Sequence, residues 1–325
     1  MELKNSRNLK FGIQIGSLYD QSFWGVKDHS AFFNPKVLTP QMFWDRALDT
    51  IAGFGFRGFE MTFGPGSYRS ALERYGSAKA FGEACAAKGL QVSGGFYTGF
   101  VIGRTGLDLQ ASWRTKERRQ EILGEAEEYA DFLCDAGSQL MVTGVPFRST
   151  WNAEPPRFTD TGYLSALADF YTEIGYVTAK RGVRLALHCE TNGVFWLQRD
   201  IDLLLLLTDP VYVDFCPDTA HIRTGGSDPS EVVRKHSSRL VAAHWKDCKK
   251  EMERGFLIDE KVFVAHVPYF TTVGQGLVDW MSWVRFLREV NFKDWAILEV
   301  TANPGLESVK AAKDYVETSL MPVYS

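Results

Sequence analysis

Ala179-Lys180-Arg181-Gly182-Val183-Arg184-Leu185-Ala186-Leu187-His188-Cys189-Glu190-Thr191-Asn192 contains the local grammar of the whole chain. A helical stretch closes on basic residues, and Gly182 supplies the turn that ends it. A short β-prone run, Val183–Cys189, follows at once and gives way to polar residues. Lys88-Gly89 and Ala136-Gly137 repeat the same helix stop before a strand.

Working outward, eight such strand–helix pairs are readable. The strands are expected at Phe11–Gly16, Phe56–Met61, Leu90–Phe96, Gln139–Gly144, Val183–Cys189, Val211–Cys216, Leu240–Trp245 and Trp295–Val300. The helices are expected at Pro40–Gly53, Ser70–Lys88, Thr115–Ala136, Asp160–Arg181, Gln198–Thr208, Pro229–His236, Val278–Val290 and Leu306–Leu320. Eight alternations predict the α/β class and a single (β/α)8 TIM barrel over residues 1–325. Long loops are expected after strand one (Leu18 to Pro40) and strand seven (Lys249 to Gly276), over the catalytic face or at a subunit contact.

The chain has 325 residues, and its 36 basic and 40 acidic residues leave a net charge of −4, which gives no electrostatic reason to bind nucleic acid. Its five cysteines are scattered and form no CxxC pair, so a disulfide framework is not expected and a cytoplasmic setting is. Met1–Lys10 is polar, and apolar runs such as Leu203–Leu207 are too short to span a bilayer, so no membrane association is expected. Aromatic residues make up 14% of the chain and serve either a core or a carbohydrate pocket. The stripe Asp279, Trp280, Trp283, Leu287 reads as core.

The chemistry lies at strand ends, since side chains there point into the mouth of a barrel. Period-two alternation turns His188, Glu190 and Asn192 the same way on strand five. Strand six runs into Asp218-Thr219-Ala220-His221, strand seven into His244-Trp245-Lys246-Asp247, and strand eight into Glu299. Glu190, Asp218, His244 and Glu299 therefore converge from four successive strands as an oxygen-rich mixed donor set. Such a set suits a divalent metal, manganese first, with magnesium or cobalt as alternatives. Glu60, closing strand two, is placed to hold a substrate hydroxyl or to support a ligand. Gly225-Gly226-Ser227-Asp228-Pro229 reads as an ordinary helix cap.

With these residues in place the chain resembles the xylose-isomerase-like superfamily of sugar isomerases, epimerases and dehydratases. The resemblance is carried by Asp218-Thr219-Ala220-His221 with Gly225-Gly226-Ser227-Asp228-Pro229, by His244-Trp245-Lys246-Asp247, and by Gly274-Gln275-Gly276-Leu277-Val278-Asp279. Ala136-Gly137-Ser138 and Val92-Ser93-Gly94-Gly95-Phe96-Tyr97 look like the inosose dehydratase branch, whereas His188-Cys189-Glu190 departs from it toward the ketose 3-epimerases. The resemblance implies a metal on Glu190, Asp218, His244 and Glu299, with substrate held by His221 and Lys246; by position alone Asn192 is a further candidate to touch substrate, as is Glu60, for which a structural salt bridge is the alternative.

The implied chemistry is removal of the proton between a chelated carbonyl and hydroxyl, with His188, Glu190 or Glu299 as base. Loss of a β-substituent from the enediolate makes a lyase on a keto-sugar or keto-inositol. Reprotonation makes an epimerase or isomerase. The catalytic subunit of C-glycoside deglycosidases, which acts on 3-keto sugars alongside a small second subunit, resembles the same superfamily, so an oligomer with or without such a partner is expected. Abasic-site endonucleases of the superfamily need more histidines and a basic groove, and a non-enzymatic barrel would be expected to lack one of the four ligands.

Overall fold

The computed structural model describes residues 9–100, 102–103, 106–107, 109, 112–148, 159–253, 255–301 and 305–325. Eight parallel strands alternate with helices: β1 Lys10–Gln14, β2 Gly58–Met61, β3 Gln91–Tyr97, β4 Leu140–Thr143, β5 Arg184–His188, β6 Val213–Cys216, β7 Ala242–Trp245 and β8 Trp295–Leu298. They hydrogen-bond in the order β6-β5-β4-β3-β2-β1-β8-β7. The ring closes between β6 and β7 through two isolated parallel bridges, Phe215 with Leu240 and Asp218 with His244. This is the (β/α)8 barrel expected from the eight alternations.

Alternation along each strand sorts the core into two layers. Leu140, Val142, Ala186, Cys216, Ala242, Trp295 and Ile297 fill the interior of the barrel. Their neighbours, among them Met141, Leu185, Leu187, Phe215, Ala243 and Leu298, face the helices. The Trp295 indole plugs the interior, and a methyl added to Gly58 would come within 2.6 Å of it. Glycine is needed there because close-packed interiors have no spare volume for a carbon.

The helices follow their capping signals. Thr39 caps Pro40–Gly53, with the proline in the first turn where its missing N–H costs nothing. Thr115 caps Lys116–Asp135, Asp160 caps Thr161–Ala179, and Asp228 caps Pro229–Arg234. The helix expected at Ser70–Lys88 is instead two, Tyr68–Tyr75 and Ala78–Ala87. Gly76, at a φ of 78°, ends the first, and Ser77 caps the second. Asp279, expected in a core stripe, is exposed and caps Trp280–Glu289, while Trp280, Trp283 and Leu287 are buried as expected.

Among the described residues no helix is long and apolar enough to cross a membrane. The loop after β1 packs inward: Tyr19 stacks on Phe32 and Trp24 on Phe43. The loop after β7 forms a small ribbon, Asp247–Cys248 against Phe270–Thr271, and a helix, Val262–His266.

Candidate metal centre

The alternation that buries Ala186, Cys216, Ala242 and Ile297 inside the barrel carries forward, two residues at a time, to His188, Asp218, His244 and Glu299 at the C-terminal rim. One ligand atom from each of these four lies within 4.8 Å of the others, and all four residues are buried. Asp218 and His244 are direct partners across the closing seam, and Asp218 also caps the helix Thr219–Thr224, accepting from the His221 amide at 2.8 Å. That short helix, which hydrophobic periodicity gave no reason to expect, brings His221 to the mouth.

Three of the four expected ligands, Asp218, His244 and Glu299, stand in this cluster together with His188, one of the expected bases. Glu190 lies one step higher on the same face. Its carboxylate is 3.9 Å from His188 Nδ1 and 3.4 Å from His221 Nε2. Glu60 reaches across the barrel from β2 and lies 3.1 Å from His244 Nε2, while Glu299 lies 2.8 Å from His244 Nδ1. Lys246 Nζ donates to Glu299 Oε1 at 2.7 Å. Phe96 packs edge-on to His188, with ring centroids 5.1 Å apart.

Three buried carboxyl groups, Glu60, Asp218 and Glu299, and the partly buried Glu190 thus gather around one ammonium, Lys246. Burial works against the positive charge of His244, but the adjacent Glu60 and Glu299 overcome it and raise its pKa well above the usual imidazole range. Burial likewise opposes the Lys246 charge, and Glu299, Asp218 and Glu190 outweigh it. Lys246 and His244 together hold the Glu299 carboxyl far below its ordinary range despite burial. Glu190 is pushed up to about 8, first by burial and then by the charges of Glu299 and Asp218 against the pull of Lys246. His188 is pushed down by burial and stays neutral, the form in which imidazole binds metals.

His221 is also neutral, its pKa lowered by burial and by the Lys246 charge. Its Nδ1 accepts from the Thr191 amide at 3.1 Å, so the ring proton sits on Nε2, facing Glu190. Asn192 leaves the strand direction at a φ of 62° and meets His266, a residue of the loop after β7, with Nδ2 and Nε2 3.0 Å apart. A cavity of about 430 Å³ opens beside Phe96 at the ends of β2 and β3, walled by Phe63, Tyr68 and Tyr129.

The donor set fits a divalent cation. Both ring nitrogens of His188 and Oδ2 of Asp218 are buried without a hydrogen-bond partner among the described residues. Such atoms are costly unless something else satisfies them. Two imidazoles and two carboxylates with no thiolate form a mixed nitrogen and oxygen site, and a cation would offset the excess of carboxyl groups.

Comparison with known proteins agrees with this architecture. The profile of the xylose isomerase-like TIM barrel family matches residues 48–319, and the chain belongs to that family. Inosose dehydratase from Geobacillus kaustophilus is 27% identical over 217 residues, which cover 62% of this chain and 70% of that protein. Among solved structures, a D-tagatose 3-epimerase-like protein shares the fold with a TM-score of 0.69 and 13% identity, over 97% of this chain and 98% of that one. The IOLI protein, solved with a zinc atom, shares it with a TM-score of 0.66 and 15% identity, over 98% of both chains.

Proposed function

We propose that this chain is a divalent-metal-dependent lyase acting on a keto-sugar or keto-inositol, removing the proton α to the carbonyl and expelling a β-substituent. The observation that carries this reading is the convergence of His188, Asp218, His244 and Glu299 at the barrel mouth, where the His188 nitrogens and Asp218 Oδ2 have no hydrogen-bond partner among the described residues. The likeness to inosose dehydratase supports elimination as the outcome.

His188, Asp218, His244 and Glu299 are the residues to hold the ion, with Glu190 beside them. Manganese is the first choice, cobalt or magnesium the next, and the second imidazole makes zinc a fair competitor. A divalent ion there supplies Lewis acidity, which polarises a carbonyl and its neighbouring hydroxyl and so acidifies the C–H between them. Glu190 is the acid–base group: burial tunes it toward neutrality, where proton transfer in both directions is efficient. It takes the α-proton, the C–H electrons form the new double bond, the β C–O bond breaks, and the departing oxygen recovers a proton. His221 Nε2–H and the Lys246 ammonium are the donors that hold substrate oxygens. Glu60, beside His244 Nε2, orients that ring, which must give up its proton for the ion to bind.

A second reading, epimerisation or isomerisation through the same enediolate, is favoured by the delivery of Glu60 and Glu190 from strands three positions apart in the barrel. A substrate with a flat leaving group, such as a 3-keto C-glycoside, is supported by the exposed rings Phe33, Phe63 and Phe263 on the loops. In that case a small second subunit is expected. The five free cysteines support a reducing, cytoplasmic setting.

The test is metal analysis of the purified protein, followed by NMR of inosose and a panel of ketoses in deuterated buffer. Metal-dependent incorporation of deuterium beside the carbonyl is expected, with loss of water from the substrate that is turned over. A fully active protein without metal, or metal-loaded protein that exchanges no ketone, refutes the proposal.

A further inference from the structure

The loop after β7 carries a buried histidine to which the proposed chemistry assigns no task. His266 ends the helix Val262–His266, is only 2% exposed, and is walled by Phe256 and Phe147 with ring centroids at 5.4 and 6.3 Å. Burial lowers its pKa to about 3, and the charge of Lys246 adds to the effect, so the ring is neutral and lies within reach of the site's field.

Asn192 Nδ2 is 3.0 Å from His266 Nε2. The amide donates there, which leaves Nε2 bare and puts the ring proton on Nδ1. His266 Nδ1 and Asn192 Oδ1 are both buried, and neither has a hydrogen-bond partner among the described residues. Exchanging the amide oxygen and nitrogen gives the same result with the roles reversed. In either arrangement the pair carries one unspent donor and one unspent acceptor. The amide is held in place by its backbone, which has a φ of 62° and whose carbonyl accepts from the Arg148 amide at 2.7 Å. Asparagine is among the few non-glycine residues that take up that conformation readily.

We infer that His266 and Asn192 form a hydroxyl-recognition pair, so that the insertion after β7 selects uncharged polyols carrying a secondary hydroxyl at one defined carbon. A hydroxyl is the simple substituent that accepts from one neighbour while donating to another. A carbonyl, carboxylate or hydrogen at that carbon leaves at least one buried group unpaired, and sites built this way reject such analogues strongly. The inference rests on the keto-sugar reading for its substrate class.

Calorimetry on manganese-loaded protein with myo-inositol, a polyol that carries no ketone to react, tests it. Wild type is expected to bind myo-inositol about tenfold more tightly than the monodeoxy-inositol lacking the recognised hydroxyl. His266→Phe keeps ring bulk against Phe256 and Phe147 but neither donates nor accepts, so it should narrow the difference between the two. His266→Gln restores a donor and an acceptor and should recover part of the difference. If His266→Phe does not fold, Asn192→Gly, which tolerates the positive φ, serves in its place. Discrimination undiminished in the folded variant, or no binding of myo-inositol by wild type, overturns the pair. Deuterium exchange on the same samples separates the two claims: discrimination without exchange supports the pair and refutes the reaction, while exchange without discrimination refutes the pair alone.

Discussion

Replacing Asp247 with Asn changes one atom of the loop that follows β7, and the structure sets the size of the effect. The Asp247 carboxylate is fully buried and accepts five N–H groups. Oδ1 takes the amides of Cys248 and Val278 at 2.9 and 3.2 Å. Oδ2 takes the amides of Gly274 and Gly276 at 3.0 and 3.1 Å and the Trp280 indole at 2.8 Å. An asparagine must turn its NH₂ toward one of these groups, and the less costly choice is the Oδ1 side, which loses two bonds. Bonds to a charged acceptor are worth about 1.5–3 kcal/mol each, so the loss is about 3–6 kcal/mol before any weakening of the remaining three. At about 2 °C per kcal/mol for a chain of this size, the melting temperature should fall by about 6–12 °C. Urea unfolding gives the free energy, and hydrogen exchange at Gly274, Gly276 and Val278 reports whether the loop opens before the barrel does. A loss below about 1 kcal/mol with exchange unchanged at those amides would refute the assigned role of Asp247.

Other outcomes are equally direct. Glu299→Gln should lose both bound metal and turnover, because it removes a charged donor and the partner of Lys246; full metal content by elemental analysis with normal activity would exclude the site. His188→Ala and Glu190→Gln should separate ligand from acid–base group: the first lowers metal retention, while the second keeps the metal and lowers deuterium exchange by about 100-fold or more. The reverse pattern would return Glu190 to the ligand set. Asp202 is lowered below the usual carboxylate range, since the hydrogen bonds from His236 at 2.7 Å and Lys235 at 3.1 Å outweigh the effect of burial. Its contribution to stability is therefore present above the ordinary aspartate pKa and lost as pH falls through the depressed value. The urea midpoints of Asp202→Asn and wild type should differ at about pH 7 and draw together as pH falls below the ordinary aspartate value.

The barrel was legible because its signals are local and repeated. Gly182 and its counterparts mark helix ends, and apolar alternation fixes which residues face inward. Strand ends were read one or two residues long, as at Val183–Cys189 against Arg184–His188, because apolar residues continue past the last ladder hydrogen bond. The choice between His188 and Glu190 was not legible. Positions i and i+2 share a face, and which of them reaches the centre depends on where the ladder stops and on the turn at Asn192. His266 was harder still, since a residue deep inside a long insertion is placed by tertiary packing of Phe147, Phe256 and Val262, with no periodicity of its own. Asp247 belonged to a recognisable motif, yet its five donors come mainly from a glycine-rich stretch some thirty positions away.

The seam between β6 and β7 bears on the durability of the molecule. Elsewhere neighbouring strands pair three or four residues each, but here the ring is stitched at two isolated points, one of them the bridge between Asp218 and His244. An ion gripped by those two side chains would act as a clasp on the loosest joint of the barrel. Stripping it with a chelator would then unfasten the hoop as well as silence the chemistry.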